Sequence, residues 1–439
     1  MRMKPDLRRF FRACNPSKVL RLENPEDQQY YIDFSGVRGT EILEELGETI
    51  CLMSPDYTCQ LFTGHIGCGK STELLRLKTQ LEQEGFHVVY FESSQDLDMV
   101  DLDISDILLA IARRVSESLE AVNINPQGGY FTNLLQECGD FLQTPVKLEG
   151  QAELSLGIGK ITAKAKESPQ VRSRLRQYLE PKTENLLKAI NQDLLEPAEK
   201  ILQQRSQAGL VVIVDNLDRV GDRTHVSGKS LPEYLFVNRG EQLRSLHCHV
   251  VYTIPLVLAF SNEREALKHR LGGGINPSVL PMVPVRKRDG SDSEAGLELL
   301  RQMVLARAFP DQLPKERLNL VTEVFDSPAT LDRLCRVSGG HVRNLLNLLH
   351  TCLRKRKILP IDRNRLEIVI REEANQFTLA ITPDEWELLE KVAQTKKVTG
   401  EEEYQTLLRS MFVFEYRNDL GDLWFDINPV LAEVHSFPS

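Results

Sequence analysis

The chain has 439 residues, of which 41% are hydrophobic and 27% charged, the balance of a globular protein of about two to four domains rather than a disordered or collagen-like one. Its 54 Lys and Arg against 63 Asp and Glu give a net charge of −9, which excludes a general polyanion binder and leaves only local basic patches. The longest apolar runs, such as Val250–Phe260, fall well short of the roughly 20 residues that span a bilayer, so no membrane partner is expected.

The N-terminus, MRMKPDLRRFFRAC, is basic but lacks the apolar core of a secretory signal. The eight cysteines are scattered without a CxxC pair, the usage of reduced thiols and a cytoplasmic location. The basic arm over the first 25 or so residues (Arg2, Lys4, Arg8, Arg9, Arg12, Lys18, Arg21) reads as a solvated tail, or as a contact for nucleic acid or a partner. Tyr30–Gly39 reads as a loop before a helix over Glu41–Met53.

The apolar run Cys59–Thr63 predicts a strand. It leads into Gly64-His65-Ile66-Gly67-Cys68-Gly69-Lys70-Ser71, which fits G-x-x-x-x-G-K-[ST] at every required position. Thr72 follows, then a helical face of Leu74, Leu75, Leu77 and Leu81 that ends at Gly85. Glycines let backbone N–H groups close around a phosphate, and the helix N-terminus behind them favours an anion. Lys70 suits the β- and γ-phosphates, and the Ser71 hydroxyl suits Mg2+. Residues 64–72 are therefore the predicted nucleotide-phosphate site. Cys68 is assigned to packing.

Val88–Phe91 predicts a second strand, with Glu92 at its end, and Ile104–Val122 a helix. Roughly 120 residues separate this strand from the next, more than a simple crossover needs. Within them, Val146–Ile158 alternates with a period of two and predicts a Gly-rich hairpin. A helix over Pro181–Ser206 is expected next. Leu210–Asp215 is a continuous apolar run ending in an acid, the pattern of a buried parallel strand whose Asp215 would hold Mg2+. His249–Thr253 is a further strand with a polar end, and Val279–Val285, with two prolines, suits an edge strand. His247, Cys248 and His249 alternate in direction along a strand and do not converge on one ion.

Residues 295–375 read as helices. Gly339-Gly340 precedes an apolar face of Val342, Leu345, Leu346 and Leu349, with His341, His350 and Cys352 as helix residues and Arg343 near the helix start. The segment 333–371 holds ten Lys and Arg but only Asp362 and Glu367, a net +8 that suits a nucleic-acid backbone, an acidic domain of the same chain, or a solvated surface. From Ile381 the pattern is that of a winged helix. Thr382-Pro383-Asp384-Glu385 opens one helix, Glu401–Met411 is the next, and Phe412–Tyr416 and Leu423–Ile427 flank the turn of a hairpin. Residues 381–439 carry a net −7, and the second helix begins Glu401-Glu402-Glu403, which repels phosphates. This segment therefore reads as an interaction or autoinhibitory module, able to dock on the basic 333–371 stretch.

Strand, phosphate loop, helix and strand, followed by a later strand ending in Asp215, resemble the AAA+ and STAND branch of P-loop ATPases. Asp215-Asn216-Leu217-Asp218-Arg219 is similar to the Walker B segment of KAP-type proteins, and Ser338–Leu346 to the sensor 2 motif of origin-recognition-like ones. The resemblance implies an α/β fold: a P-loop NTPase parallel sheet flanked by helices, followed by a helical lid and a winged-helix domain. In this scheme 1–48 is an N-terminal arm and leading helix, 49–290 the ATPase core with an insertion over about 123–205, 291–375 the lid and 376–439 the winged helix. It implies that Thr253 is the sensor 1 residue, that Arg343 reaches the γ-phosphate and that Val37-Arg38-Gly39 contacts adenine. It also implies ATP rather than GTP, with Mg2+.

Many hydrolytic relatives place a glutamate directly after the Walker B aspartate. Here that position is Asn216, which cannot take a proton at neutral pH. Asp218 and Glu92 are the two acids that could serve instead. Three functions fit: an ATP-dependent switch, hydrolytic and passing its state to a protein effector; a DNA-associated AAA+ ATPase; or a nucleotide-binding scaffold that does not hydrolyse. The acidic terminal domain disfavours DNA. Arg264, Arg270, Arg286 and Arg288 are candidates for an arginine finger across a homo-oligomer interface.

Overall fold

In the computed structural model, residues 4–39, 41–125, 129–142, 154–418 and 420–437 are described. Gly209–Asp215 (β3) is buried at every position, as its unbroken apolar sequence demands. It lies inside a five-stranded sheet with β1 (Cys59–Gly64), β2 (Phe86–Glu92), β4 (His249–Thr253) and β5 (Ser278–Leu280), in the order β2-β3-β4-β1-β5. The pairs β1–β4, β2–β3 and β3–β4 are parallel. Strand ends therefore share one edge, and the register sets Glu92 opposite Asp215. Val279–Val285 yields only a three-residue strand, because Pro281 and Pro284 lack the N–H a ladder needs.

The chain divides into two compact units that do not follow chain order. One comprises Leu43–Thr63 and Leu77–Ser278, with the sheet packed against the helix Ile104–Ala121 and its neighbours. The other comprises Met1–Ile42, Gly64–Arg76 and Val279–Ser439. It gathers the N-terminal segment, the phosphate loop, the helices from Glu294 to Thr378 and the C-terminal domain.

In the first unit the described residues of the insertion are helical, which corrects the hairpin expectation from Leu154 onward. Residues 143–153, which hold most of its first strand, lie outside the described residues. Leu154–Glu167 is a helix. Leu154, Ile158, Ile161 and Ala165 form its buried face, at i, i+4, i+7 and i+11. A strand would have buried Leu156 with Leu154 and Ile158, whereas here Leu156 is 60% exposed. The expected helix over Pro181–Ser206 is broken into a 3-10 turn (Glu180–Lys182), a helix (Thr183–Ala189), a π-helical stretch (Ile190–Leu195) and a second helix (Glu196–Gln204).

In the second unit the basic arm is not a solvated tail. Asp6 caps the helix Leu7–Ala13 by accepting from the N–H groups of Arg8 (2.8 Å) and Arg9 (3.1 Å). Phe10 is fully buried in the core formed with Leu300, Val304 and Leu349. The C-terminal domain has helices Pro383–Thr395 and Glu402–Arg409 and an antiparallel hairpin, β6 (Val413–Arg417) with β7 (Leu423–Ile427). Thr382 and Glu385 form the capping box their spacing predicts. Arg333 meets Glu433 at 2.6 Å, so an ion pair joins the basic segment to the acidic domain. Arg336 meets Asp292 and Lys355 meets Glu372, so with Glu433 three acids from outside the segment pair with it, while Arg333 and Arg363 share Glu367 within it.

Candidate functional site

The residues after β1 do what their sequence requires. Gly64, Gly67 and Gly69 have φ of 155°, 95° and 113°, a region that side chains disfavour. A Cβ on Gly67 would lie 2.9 Å from the Arg343 Cβ and 3.0 Å from the His341 ring. Lys70 opens the 14-residue helix Lys70–Gln83, so the loop delivers a helix N-terminus together with an ammonium group. The Lys70 Nζ donates to the carbonyls of Gly64 (2.7 Å) and His65 (3.0 Å). Ser71 and Thr72 follow, both partly exposed.

The outer side of the loop is gripped residue by residue. The Glu415 N–H donates to the His65 Nε2 at 3.2 Å. The His341 Nε2 donates to the Ile66 carbonyl at 2.9 Å, and the Arg343 N–H donates to the Gly67 carbonyl at 3.2 Å. The Arg38 Nη2 donates to the Cys68 carbonyl at 2.8 Å. These contacts settle two tautomers. His341 Nδ1 accepts from the Asn344 N–H at 3.1 Å, so its proton sits on Nε2. His65 accepts at Nε2, so its proton sits on Nδ1. Burial holds His341 neutral, with its pKa lowered to about 4. Burial also drives His65 well below the usual imidazole range, helped by the neighbouring His341 and Lys70.

The N-terminal segment braces the same helix. Tyr31 Oη donates to Glu73 at 3.2 Å, Arg76 donates to Tyr31 Oη at 3.1 Å and pairs with Asp33 at 3.2 Å. Burial raises the Glu73 carboxyl, against the pull of Arg38 and Arg76. The Arg38 guanidinium lies over the Phe34 ring, 5.4 Å from its centroid.

In the first unit the sheet's carboxyl edge carries the acids. Asp215 is almost fully buried and accepts from Tyr90 Oη at 2.8 Å and from the Asn216 N–H at 2.7 Å. Asn216 has φ of 65°, a left-handed turn that Asn tolerates better than most residues. That turn sends Leu217–Arg219 into a 3-10 turn, with Asp218 buried and Arg219 exposed. Thr253 spends its hydroxyl on the same turn, accepting from the Leu217 N–H at 2.9 Å and donating to the Val214 carbonyl at 3.2 Å. Glu92 is half-buried at the end of β2, paired in register with Asp215.

Residues 64–72 and Arg343 are thus brought together in one unit, and Glu92, Asp215, Asp218 and Thr253 on one edge of the other. His341 is corrected: it is the N-cap of the helix Val342–Lys355 and a clamp on the loop, not an interior helix residue. Sequence reasoning also missed Phe414 and Glu415 as parts of the loop's surroundings, and with them the contacts to the His65 ring. The signal for His341 was its place directly after Gly339-Gly340, where an N-cap acceptor is favoured. His247 and His249 turn to Glu196 (2.8 Å) and Thr58 (2.9 Å), and among the described residues no group of three His, Cys, Asp or Glu could hold a metal ion.

No family model matches the sequence, and no curated protein matches it. Among solved structures, the chain is similar to the ORC1 protein of Aeropyrum pernix, solved in complex with DNA. The identity is 14% over 97% of this chain and 96% of that one, with a TM-score of 0.38. It is similar to a Walker-type ATPase of Pyrococcus abyssi at 12% identity, over 92% and 99% of the two chains, with a TM-score of 0.39. It is also similar to Cdc6p of Pyrobaculum aerophilum at 11% identity, over 96% and 97%, again with a TM-score of 0.39.

Proposed function

We propose that this chain is an ATP-binding, hydrolytic switch that passes its nucleotide state to a protein effector. The observation that carries the proposal is the phosphate loop: three glycines at positive φ, a lysine at the start of a long helix, and a lid helix whose Arg343 adjoins Gly67. The donor set fits a Mg2+–triphosphate. Gly67 and Gly69 keep the backbone bare, Lys70 offers charge, and the Ser71 hydroxyl offers a hard oxygen ligand of the kind Mg2+ prefers; Asp215 is the proposed carboxylate for the same ion. Bound Mg2+ would supply charge neutralisation at the phosphates.

The chain's own residues do the rest. Lys70 exchanges its contacts to Gly64 and His65 for phosphate oxygens. Tyr90 orients Asp215, and Thr253 fixes the turn that follows it. Arg343 is the proposed γ-phosphate contact, and Arg38 and Val37 flank the base. Glu92 and Asp218 are the proposed acids for orienting water, since Asn216 takes no proton. A homo-oligomer completed by an arginine finger belongs to the same proposal, as does a cytoplasmic location, in keeping with eight free cysteines. Among the described residues no helix is long and apolar enough to cross a membrane.

A DNA-associated reading is favoured by one observation. Arg354, Lys355, Arg356 and Lys357 form an exposed basic run at the end of a lid helix, and among the described residues an ion pair is seen for Lys355 alone, with Glu372. Steady-state ATP turnover, with and without duplex DNA and with Lys70→Ala as the blank, separates the readings. Slow turnover indifferent to DNA supports the switch. Stimulation by DNA that weakens as salt rises supports the second reading. ATP binding without turnover above the blank leaves the scaffold.

A further inference from the structure

The phosphate motif leaves position 65 free in residue type, so phosphate chemistry does not explain a buried imidazole there. Its neighbours do. In β6 the N–H and C=O of Glu415 both point away from β7, along the hairpin's open edge. The N–H donates to the His65 Nε2, and the carbonyl accepts from the Met282 N–H at 3.0 Å. The adjacent Phe414, fully buried, meets the His65 ring edge-on and lies flat on the His341 ring, with centroids 5.6 Å apart in each case. The next residue, Tyr416, donates from Oη to the Gly339 carbonyl at 2.8 Å. One strand, 350 residues downstream of His65, therefore holds both the phosphate loop and the turn that presents His341 and Arg343.

We propose that His65 is a positioning residue through which the C-terminal hairpin sets the phosphate loop, so that docking of the hairpin and binding of ATP at the loop are coupled. The coupling rests on the nucleotide reading above. His65 carries it because it is tied at both ends: its carbonyl accepts from Lys70 and its ring accepts from β6. Moving Lys70 to a phosphate frees that carbonyl and shifts the residue the hairpin holds. By linkage, whatever loosens the hairpin weakens nucleotide binding to the same degree that nucleotide tightens the hairpin.

The test uses the full chain with His65→Phe, which keeps a ring but no acceptor, and His65→Gln, which restores an acceptor. Amide exchange of 413–417 is measured without nucleotide, and the Kd of a fluorescent ATP analogue with Mg2+ is measured alongside. A net hydrogen bond of ordinary strength corresponds to about fivefold in affinity. His65→Phe is expected to speed exchange in 413–417, with Gly209–Asp215 unchanged, and to raise Kd about fivefold. His65→Gln is expected to recover most of both, and ATP is expected to slow exchange of 413–417 in the wild type. Unchanged exchange in His65→Phe overturns the proposal, as does faster exchange that spreads equally to Gly209–Asp215. Faster hairpin exchange with an unchanged Kd overturns the coupling while leaving the nucleotide site standing. Binding by the wild type no better than by Lys70→Ala removes the nucleotide reading itself, and the coupling with it.

Discussion

Replacing Glu415 with glutamine should stabilise the C-terminal domain, and by an amount that grows with pH. The Glu415 side chain is fully buried, and among the described residues neither of its oxygens has a hydrogen-bond partner. Burial pushes its carboxyl from 4.5 up to about 8, against the pull of Arg417 two residues on. Between those values the native chain holds a proton that the unfolded chain has released. Stability from this group is therefore full below about pH 4.5 and is lost as pH rises toward 8, by roughly 1.4 kcal/mol per pH unit. The accumulated loss is about 1 kcal/mol at pH 5.5 and about 3 kcal/mol at pH 7, by the same conversion. Glutamine copies the neutral acid in shape and has no such slope. Both tryptophans lie in this domain, and Trp424 stacks on Tyr416 of β6, so urea unfolding followed by tryptophan fluorescence reads the right region. Midpoints converted to free energies at pH 5.5, 6.25 and 7 should diverge between Glu415→Gln and wild type on that slope. A gap that does not change with pH, or a glutamine variant less stable at pH 7, would refute the burial argument.

Other outcomes follow from the same geometry. His341 has the opposite sign: the stability tied to its neutral ring is present above pH 6.5 and lost as pH falls toward 4, so His341→Asn, which keeps the cap acceptor, should flatten the acid limb of the unfolding curve. Gly67→Ala forces a side chain onto φ of 95° and against Arg343 and His341, and should cost at least about tenfold in ATP affinity by equilibrium titration. Gly340→Ala drives a Cβ into the Val283 carbonyl at φ of 73° and should lower the urea midpoint by several kcal/mol equivalent, on the order of the largest single-residue effects. Asp215→Asn keeps the hydrogen bond from Tyr90 but loses the charge, and should leave ATP bound with little response to Mg2+.

Much of this architecture is legible in the sequence because single local signals decide it. The glycine-lysine-serine spacing fixes the loop, an unbroken apolar run fixes β3, and the Thr382–Glu385 pair fixes a helix start. The Leu154–Glu167 helix was misread because small and apolar residues there satisfy a period of two as well as 3.6; only the partner surface, the helix Ile104–Ala121, decides between them. The +8 segment misleads for a related reason. Two of its counter-ions, Asp292 and Glu433, lie 41 and 62 residues outside it, and Glu372 falls one residue past its end. The grip on His65 is less legible still. It uses a backbone N–H, which carries no residue signature, on a strand 350 positions away.

The central claim, that residues 64–72 bind ATP, is tested most directly by calorimetric titration of wild type and Lys70→Ala with ATP in Mg2+. Losing the ammonium's charge-assisted bonds should weaken binding by at least about tenfold, since each such bond is worth roughly 1.5–3 kcal/mol. Saturable one-site binding that collapses in Lys70→Ala is the predicted result. Equal binding by the two proteins, or none by either, would contradict it.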